Sequence, residues 1–269
     1  MIYDCFSYWD EDLLLDLRLN ILDKFVDYFV IVEGNKTWQN NPKELRFDLG
    51  KFQKFKDKII YIPVTDLPDG VDPYLRENYQ RNSILKGLSH AKSDDTIIIS
   101  DLDEIPNPKK ISSFKSNMKY AVFKQMHFYY KLNLQSRNNP FWYGSRICNY
   151  KNLKSPQWLR NLKFKKRPFW RIDKARLNNI IEDGGWHFCN LKTPEGLLYK
   201  YKNLCETNDP INFKEKIDEK HLDVNEIKKK IENQADIIGR NDSFTKIKLD
   251  ENFPEYLLSN KEFYNEWII

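Results

Sequence analysis

Cysteine, glycine, long apolar runs and charge of one sign are all scarce in this 269-residue chain, and each scarcity excludes something. The four cysteines (Cys5, Cys148, Cys189, Cys205) are dispersed, with no Cys-x-x-Cys pair. That argues against a zinc site and a disulfide framework, and fits free thiols in a reducing compartment. No stretch reaches the roughly 18 apolar residues that cross a bilayer, so no integral membrane segment is expected. No basic stretch leads into an apolar one near the N-terminus, so no signal peptide is visible and a cytoplasmic location is the expectation. The nine glycines form no Gly-x-x-x-x-Gly-Lys phosphate loop. The 44 basic and 39 acidic side chains are interleaved and leave a net charge of only +5. No nucleic-acid partner is expected, because a dedicated binder gathers its Lys and Arg into a stripe.

What is present is a globular composition, 41% hydrophobic and 14% aromatic, long enough for ample core. The first half alternates strand-like and helix-like stretches. Ile2 to Phe6, Tyr28 to Val32, Ile59 to Val64 and Thr96 to Ser100 read as short buried strands. Between them, Asp10 is placed to cap a helix carrying Leu14, Leu17, Ile21 and Phe25, and Tyr74 to Ala91 reads as a second helix. This order predicts a mostly parallel sheet with helices on both faces. After Pro108, Tyr120 to Asn133 reads as a long strand added in antiparallel fashion. Residues 136–190 are aromatic and basic, and the C-terminal part is helical, with a capping-box start at Asp223 and Glu226 and a stripe of Ile227, Ile231 and Ile238. One domain over 1–269 is expected: a nucleotide-binding half (1–108), an acceptor-side half (109–210) and a helical C-terminal segment (211–269).

The chemistry concentrates where the fourth strand ends in Asp101-Leu102-Asp103-Glu104. In extended backbone, residues two apart point to one side, so Asp101 and Asp103 aim together just beyond the strand's C-terminal end, where open α/β sheets bind ligands. Two such carboxylates repel unless a cation lies between them, and hard oxygen donors suit Mg²⁺ or Mn²⁺. A solvated pair of loop acids is the plainer reading. Of the four histidines only His187, in Asp183-Gly184-Gly185-Trp186-His187, has a suggestive setting: the glycines let backbone approach a ligand, and imidazole is an acceptable Mn²⁺ ligand.

Five segments in order carry a resemblance: Asp4-Cys5-Phe6, Asp27 to Glu33, Arg76 to Asn82, Ser100 to Pro106, and Gly185-Trp186-His187-Phe188. Together they resemble glycosyltransferase family 17, the β-1,4-mannosyl-glycoprotein 4-β-N-acetylglucosaminyltransferase family, over residues 2–240. The resemblance implies a GT-A type nucleotide-diphosphosugar transferase fold, a metal-dependent inverting transfer, UDP-N-acetylglucosamine as donor and a glycan as acceptor. It makes Asp103 the direct ligand of Mn²⁺ (or Mg²⁺), with Asp101 touching the metal through water or holding the ribose, Glu104 an acceptor behind them, and His187 a late metal ligand. Glu33, at the second strand's end, is either a uridine contact or a solvated acid. Arg81 and Asn82 lie on the helix before the metal strand and face the donor crevice, unless Arg81 only makes a surface salt bridge. Arg76 either joins them or pairs with Asp72 or Glu77.

An inverting transfer also needs a carboxylate to take the acceptor proton, and Asp183, with Glu182 as second choice, is the expected base. Trp142 and Trp186 either stack on sugar faces or pack in the core. The basic run from Lys163 to Arg171 either reaches a diphosphate or is a solvated face. The competing enzyme class is a nucleotidyltransferase or sugar-phosphate hydrolase. The competing non-enzyme class is a glycan-binding module, and within the transferases another UDP-sugar remains open as donor.

Overall fold

Strand residues alternate sides, and here both sides of the first strands are apolar, so each strand feeds two cores. β1 (Ile2–Ser7) sends Tyr3 and Cys5 to one side and Phe6 to the other. β2 (Tyr28–Gly34) splits Val30 and Val32 from Phe29 and Ile31 in the same way. The computed structural model describes residues 1–163, 177–208, 222–239 and 242–269. All of the basic run but Lys163 therefore lies outside the described residues.

β1, β2, β3 (Ile59–Val64) and β4 (Thr96–Asp101) run parallel in the order β3-β2-β1-β4. Successive strands are added first on one side of β1 and then on the other. Such a reversal opens a crevice outside the carboxyl ends of the two strands where it occurs, here at Ser7 and Asp101, which face each other in register.

The helices depart from the expected bounds for local reasons. α1 spans Asp12–Leu22 and stops short of Phe25, which is exposed; its N-cap is Glu11 and not Asp10. The expected helix from Tyr74 to Ala91 is two pieces, α2 (Pro73–Asn82) and α3 (Ile84–Gly87). Ser83 stands at the break, its hydroxyl donating to the Tyr79 carbonyl at 3.1 Å, a back-bond that bends helices. Gly87 lets α3 lie on the sheet, since a Cβ there would meet Val30 at 2.5 Å.

The expectation of a mostly parallel sheet needs correction: the sheet is mixed. β5 (Glu104–Pro106), β6 (Tyr120–Tyr129), β7 (Leu134–Ser136) and β8 (Phe141–Asn149) pair largely antiparallel, and β8 joins the two halves by pairing with β4 and β6. After α4 (Pro156–Arg160), β9 (Asn179–Ile181) and β10 (Gly185–Cys189) return parallel to β6, while β5 lies antiparallel to β10. Hairpins need only short turns, so once the chain stops inserting helices between strands it folds back antiparallel. β6 ends at Tyr129 because Tyr130 turns to a φ of 63°.

Among the described residues, the C-terminal part holds a strand as well as helices. The described helices there are α5 (Pro194–Asn203) and α6 (Val224–Glu232), the latter capped by Asp223 through the backbone N–H groups of Asn225 and Glu226, with Ile227 buried as foreseen. β11 (Phe244–Lys246) then pairs with β7, and α7 (Glu255–Ser259) packs against α1. Among the described residues, no helix is long and apolar enough to cross a membrane.

Candidate functional site

The acidic turn is shaped by an arginine that lies inside the protein. Asp4 stands in the middle of β1 and Arg18 on the buried face of α1, both fully inaccessible, and they form a two-pronged ion pair at 2.7 and 2.6 Å. The remaining guanidinium nitrogen donates to the carbonyls of Asp101, Leu102 and Glu104 at 3.0, 3.0 and 2.8 Å. Those three bonds curl the chain between β4 and β5 into a turn. Extended geometry therefore does not apply there, and Asp101 and Asp103 take different partners. Both still line one cavity of about 400 Å³ beside the ends of β1 and β4.

Asp101 is held by arginines. Arg81 donates to Oδ1 at 3.0 Å and Arg160 to Oδ2 at 2.6 Å. Burial alone would raise the Asp101 carboxyl, but the two guanidinium groups outweigh it and keep it far below the usual carboxylate range. Arg160 also holds Glu104, whose carboxylate accepts from Trp142 Nε1 at 2.6 Å.

Asp103 turns the other way, toward His187, because β5 pairs with β10 and sets Glu104 opposite His187. Its Oδ1 lies 3.4 Å from His187 Nε2. Gly185 allows this pairing: at φ 127°, a Cβ would sit 2.2 Å from the Ile105 carbonyl oxygen. The two glycines thus serve approach between strands, not approach to a ligand. Burial raises and His187 lowers the Asp103 carboxyl, with a net fall. Conversely, burial lowers and Asp103 raises His187, which ends well above 6.5. A raised imidazole stabilises the fold fully below about pH 6.5, and that contribution fades as pH rises through the folded value. In metal-free protein, an NMR titration is expected to place the His187 midpoint above 6.5, and Asp103→Asn to bring it below. A wild-type midpoint at or below 6.5 would contradict the pairing.

The other expected residues divide. Arg81 is in the cavity wall. Asn82 acts at one remove: its side-chain oxygen accepts from Gln157 N at 3.0 Å and so anchors α4, which carries Arg160. Arg76 is a loop staple, not a donor contact or an acid partner, because its guanidinium donates to the carbonyls of Pro68, Trp38 and Val71. Glu33 is buried and already satisfied by Lys43, the backbone N–H groups of Arg46 and Phe47, and the Tyr61 hydroxyl at 2.9 Å. It pins the loop carrying Trp38 and offers nothing to a uridine.

Glu182 and Asp183 are not brought to the acids. They line a separate cavity of about 880 Å³, with Glu182 paired to Lys124 and Asp183, 80% exposed, to Lys110. The Gly-Gly bend turns them outward. Trp186 is core, its Nε1 donating to the Asn252 carbonyl at 2.9 Å, whereas Trp142 is 40% exposed at the cavity wall.

Sequence reasoning missed five contributors. Arg18 and Arg160 carried no spacing signal, although an arginine within an apolar helical face and an aspartate within an apolar strand hinted at a buried pair. Lys200 faces Asp103, with burial lowering and the acid raising its ammonium. His127, on β6, stacks in parallel on His187, and with Cys189 the two bring ligand atoms within 4.8 Å of one another. Counting dispersed cysteines could not reveal that, since β6 and β10 meet only in the fold.

A divalent cation fits part of this wall. Asp103 supplies an oxygen and His187 a ring nitrogen, and His187 Nδ1 is buried without a hydrogen-bond partner among the described residues. Asp101 fits poorly as arranged, with each carboxylate oxygen taken by an arginine.

A family model described as Glycosyltransferase family 17 matches residues 1–264. The chain is similar to the Beta-1,4-mannosyl-glycoprotein 4-beta-N-acetylglucosaminyltransferase of Homo sapiens, 25% identical over 218 residues that take in 70% of this chain and 40% of that protein. The protein of the same name from Rattus norvegicus is likewise 25% identical over 218 residues, 70% of this chain and 39% of that one. The chain thus spans about two fifths of the length of the curated relatives it matches.

Proposed function

The chain belongs to glycosyltransferase family 17, and from that premise we propose that it transfers N-acetylglucosamine from UDP-N-acetylglucosamine to a glycan hydroxyl, with inversion, on a GT-A type fold. One observation supports this reading most. Two buried N–H donors of the cavity wall, Trp38 Nε1 and Arg81 Nε, have no hydrogen-bond partner among the described residues. Buried donors are nearly always satisfied, so two on one wall at the strand-order reversal mark where a ligand's acceptors go.

In this reading Arg81 meets the donor diphosphate, and Asp101 holds Arg81 and Arg160 in place. Asp103 and His187 would hold Mn²⁺ or Mg²⁺, which when bound neutralises charge on the departing diphosphate. The acceptor oxygen attacks the anomeric carbon from the face opposite UDP, and its proton passes to a carboxylate of the cavity. Glu182 and Asp183 line the other cavity and pair with Lys124 and Lys110, which favours a carboxylate of this one for that role. Trp142 offers its exposed face to a sugar ring.

The test is a transfer assay with Mn²⁺, UDP-N-acetylglucosamine and a glycan ending in β-linked mannose, the acceptor that the relatives' name describes. A β-linked N-acetylglucosamine, read from its anomeric proton, is expected. An α-linked product would overturn inversion, faster use of another UDP-sugar would overturn the donor, and no turnover of any UDP-sugar would overturn the transferase.

A further inference from the structure

His187 has two ring nitrogens, and the contact with Asp103 uses only one. Nε2 faces the carboxylate at 3.4 Å, while Nδ1 is buried with no hydrogen-bond partner among the described residues. Donation from Nε2–H would leave the lone pair on Nδ1. Directly across the parallel ladder stands His127, its ring stacked on that of His187 at 4.7 Å between centroids and 2° between planes. His127 Nδ1 lies 3.1 Å from the Asn139 carbonyl oxygen, an acceptor that keeps the proton on Nδ1 and turns the lone pair to Nε2. Cys189, two residues along β10, projects to the same side as His187. One ligand atom from each of the three lies within 4.8 Å of the others, and all three residues line the cavity.

We propose that His127, His187 and Cys189 form a site for a thiophilic divalent cation of the zinc class, with Asp103 orienting His187 from behind and a fourth position open to the cavity. Two imidazoles and a thiolate select Zn²⁺ or Co²⁺ over Mg²⁺ and Mn²⁺, whose preference is oxygen. Three protein ligands with an open fourth place are the arrangement of reactive zinc sites, and a carboxylate on the outer nitrogen of a ligating histidine is their usual support. A four-coordinate ion draws its donors to about 3.5 Å apart, so closure by about 1 Å accompanies binding. The thiol proton is released to solvent as the metal–sulfur bond forms. Because His187 serves one ion at a time, zinc-loaded protein is expected to lose Mn²⁺-stimulated turnover.

The inference shares His187 with the proposed function but fails separately from it. Metal-free protein is titrated with CoCl₂ and its absorption recorded. One equivalent is expected to bring a near-ultraviolet sulfur-to-cobalt band with the intense visible bands of a four-coordinate ion. Cys189→Ser should abolish the sulfur band, Cys205→Ser, at the cavity's other cysteine, should keep it, and His127→Ala should weaken cobalt binding about tenfold or more. Absence of the sulfur band in wild type, or its survival in Cys189→Ser, would overturn the site. Should Cys189→Ser fail to fold, X-ray absorption of the zinc-loaded wild type decides: one sulfur and two nitrogens support the site, an oxygen-only shell overturns it. Transfer activity without the sulfur band defeats this inference alone, and the band without activity defeats only the proposed function.

Discussion

Replacing Arg18 with alanine is expected to cost the fold roughly 3–5 kcal/mol, the usual result of stranding one member of a buried ion pair. Asp4 would be left fully inaccessible without its guanidinium partner, and the carbonyls of Asp101, Leu102 and Glu104 would lose a shared donor. Thermal unfolding should fall by on the order of 10 °C for a chain of this size. The paired replacement Asp4→Leu with Arg18→Met separates two roles. Buried ion pairs are often exchanged for apolar groups at little cost, so stability should largely return. Turnover should not, because nothing then curls the acidic turn. Equal loss of stability in the single and paired variants, read by chemical denaturation, would show that the pair does not act as a unit.

Asp103→Asn is expected to lower turnover of the UDP-sugar by roughly 10²–10³-fold, the scale seen when one preorganised electrostatic group at a reacting centre is removed. The side chain keeps its shape and loses its charge, so the fold should persist, less what the His187 pairing contributes below that histidine's midpoint. Asp183→Asn is the informative contrast. That carboxylate is exposed and paired with Lys110 beside a different cavity, and its loss should leave the rate within about twofold, as for surface changes in general. A large loss in Asp183→Asn with none in Asp103→Asn would return the proton-accepting role to the residue that sequence alone favoured.

The contrast shows what was legible and what was not. Strands β1 to β4 were readable because buried parallel strands are short apolar runs, and the acids after Ile99 were conspicuous because they end such a run. Their partners were hidden. Whether Asp101 meets a cation or arginines depends on α2 and α4 packing over β4, and nothing in local spacing records that Arg160 comes to rest there. Glu33 looked available because strand ends usually face solvent, yet the loop after β2 folds back over it and donates two backbone N–H groups. The glycines before His187 were read as room for a ligand, whereas they make room for β5. His127 and Cys189 each looked ordinary, and only the pairing of β6 with β10 sets them beside His187.

The central claim is that the cavity between Asp101, Asp103 and Arg81 receives a nucleotide diphosphate with help from a divalent ion. Calorimetric titration of UDP into the wild-type protein, with and without Mn²⁺, tests it most directly. One UDP per chain, bound at least about tenfold tighter with Mn²⁺ and lost in Arg81→Met, is the expected result, tenfold corresponding to about 1.4 kcal/mol. No UDP binding in either condition, or binding indifferent to both the ion and Arg81, would contradict the account.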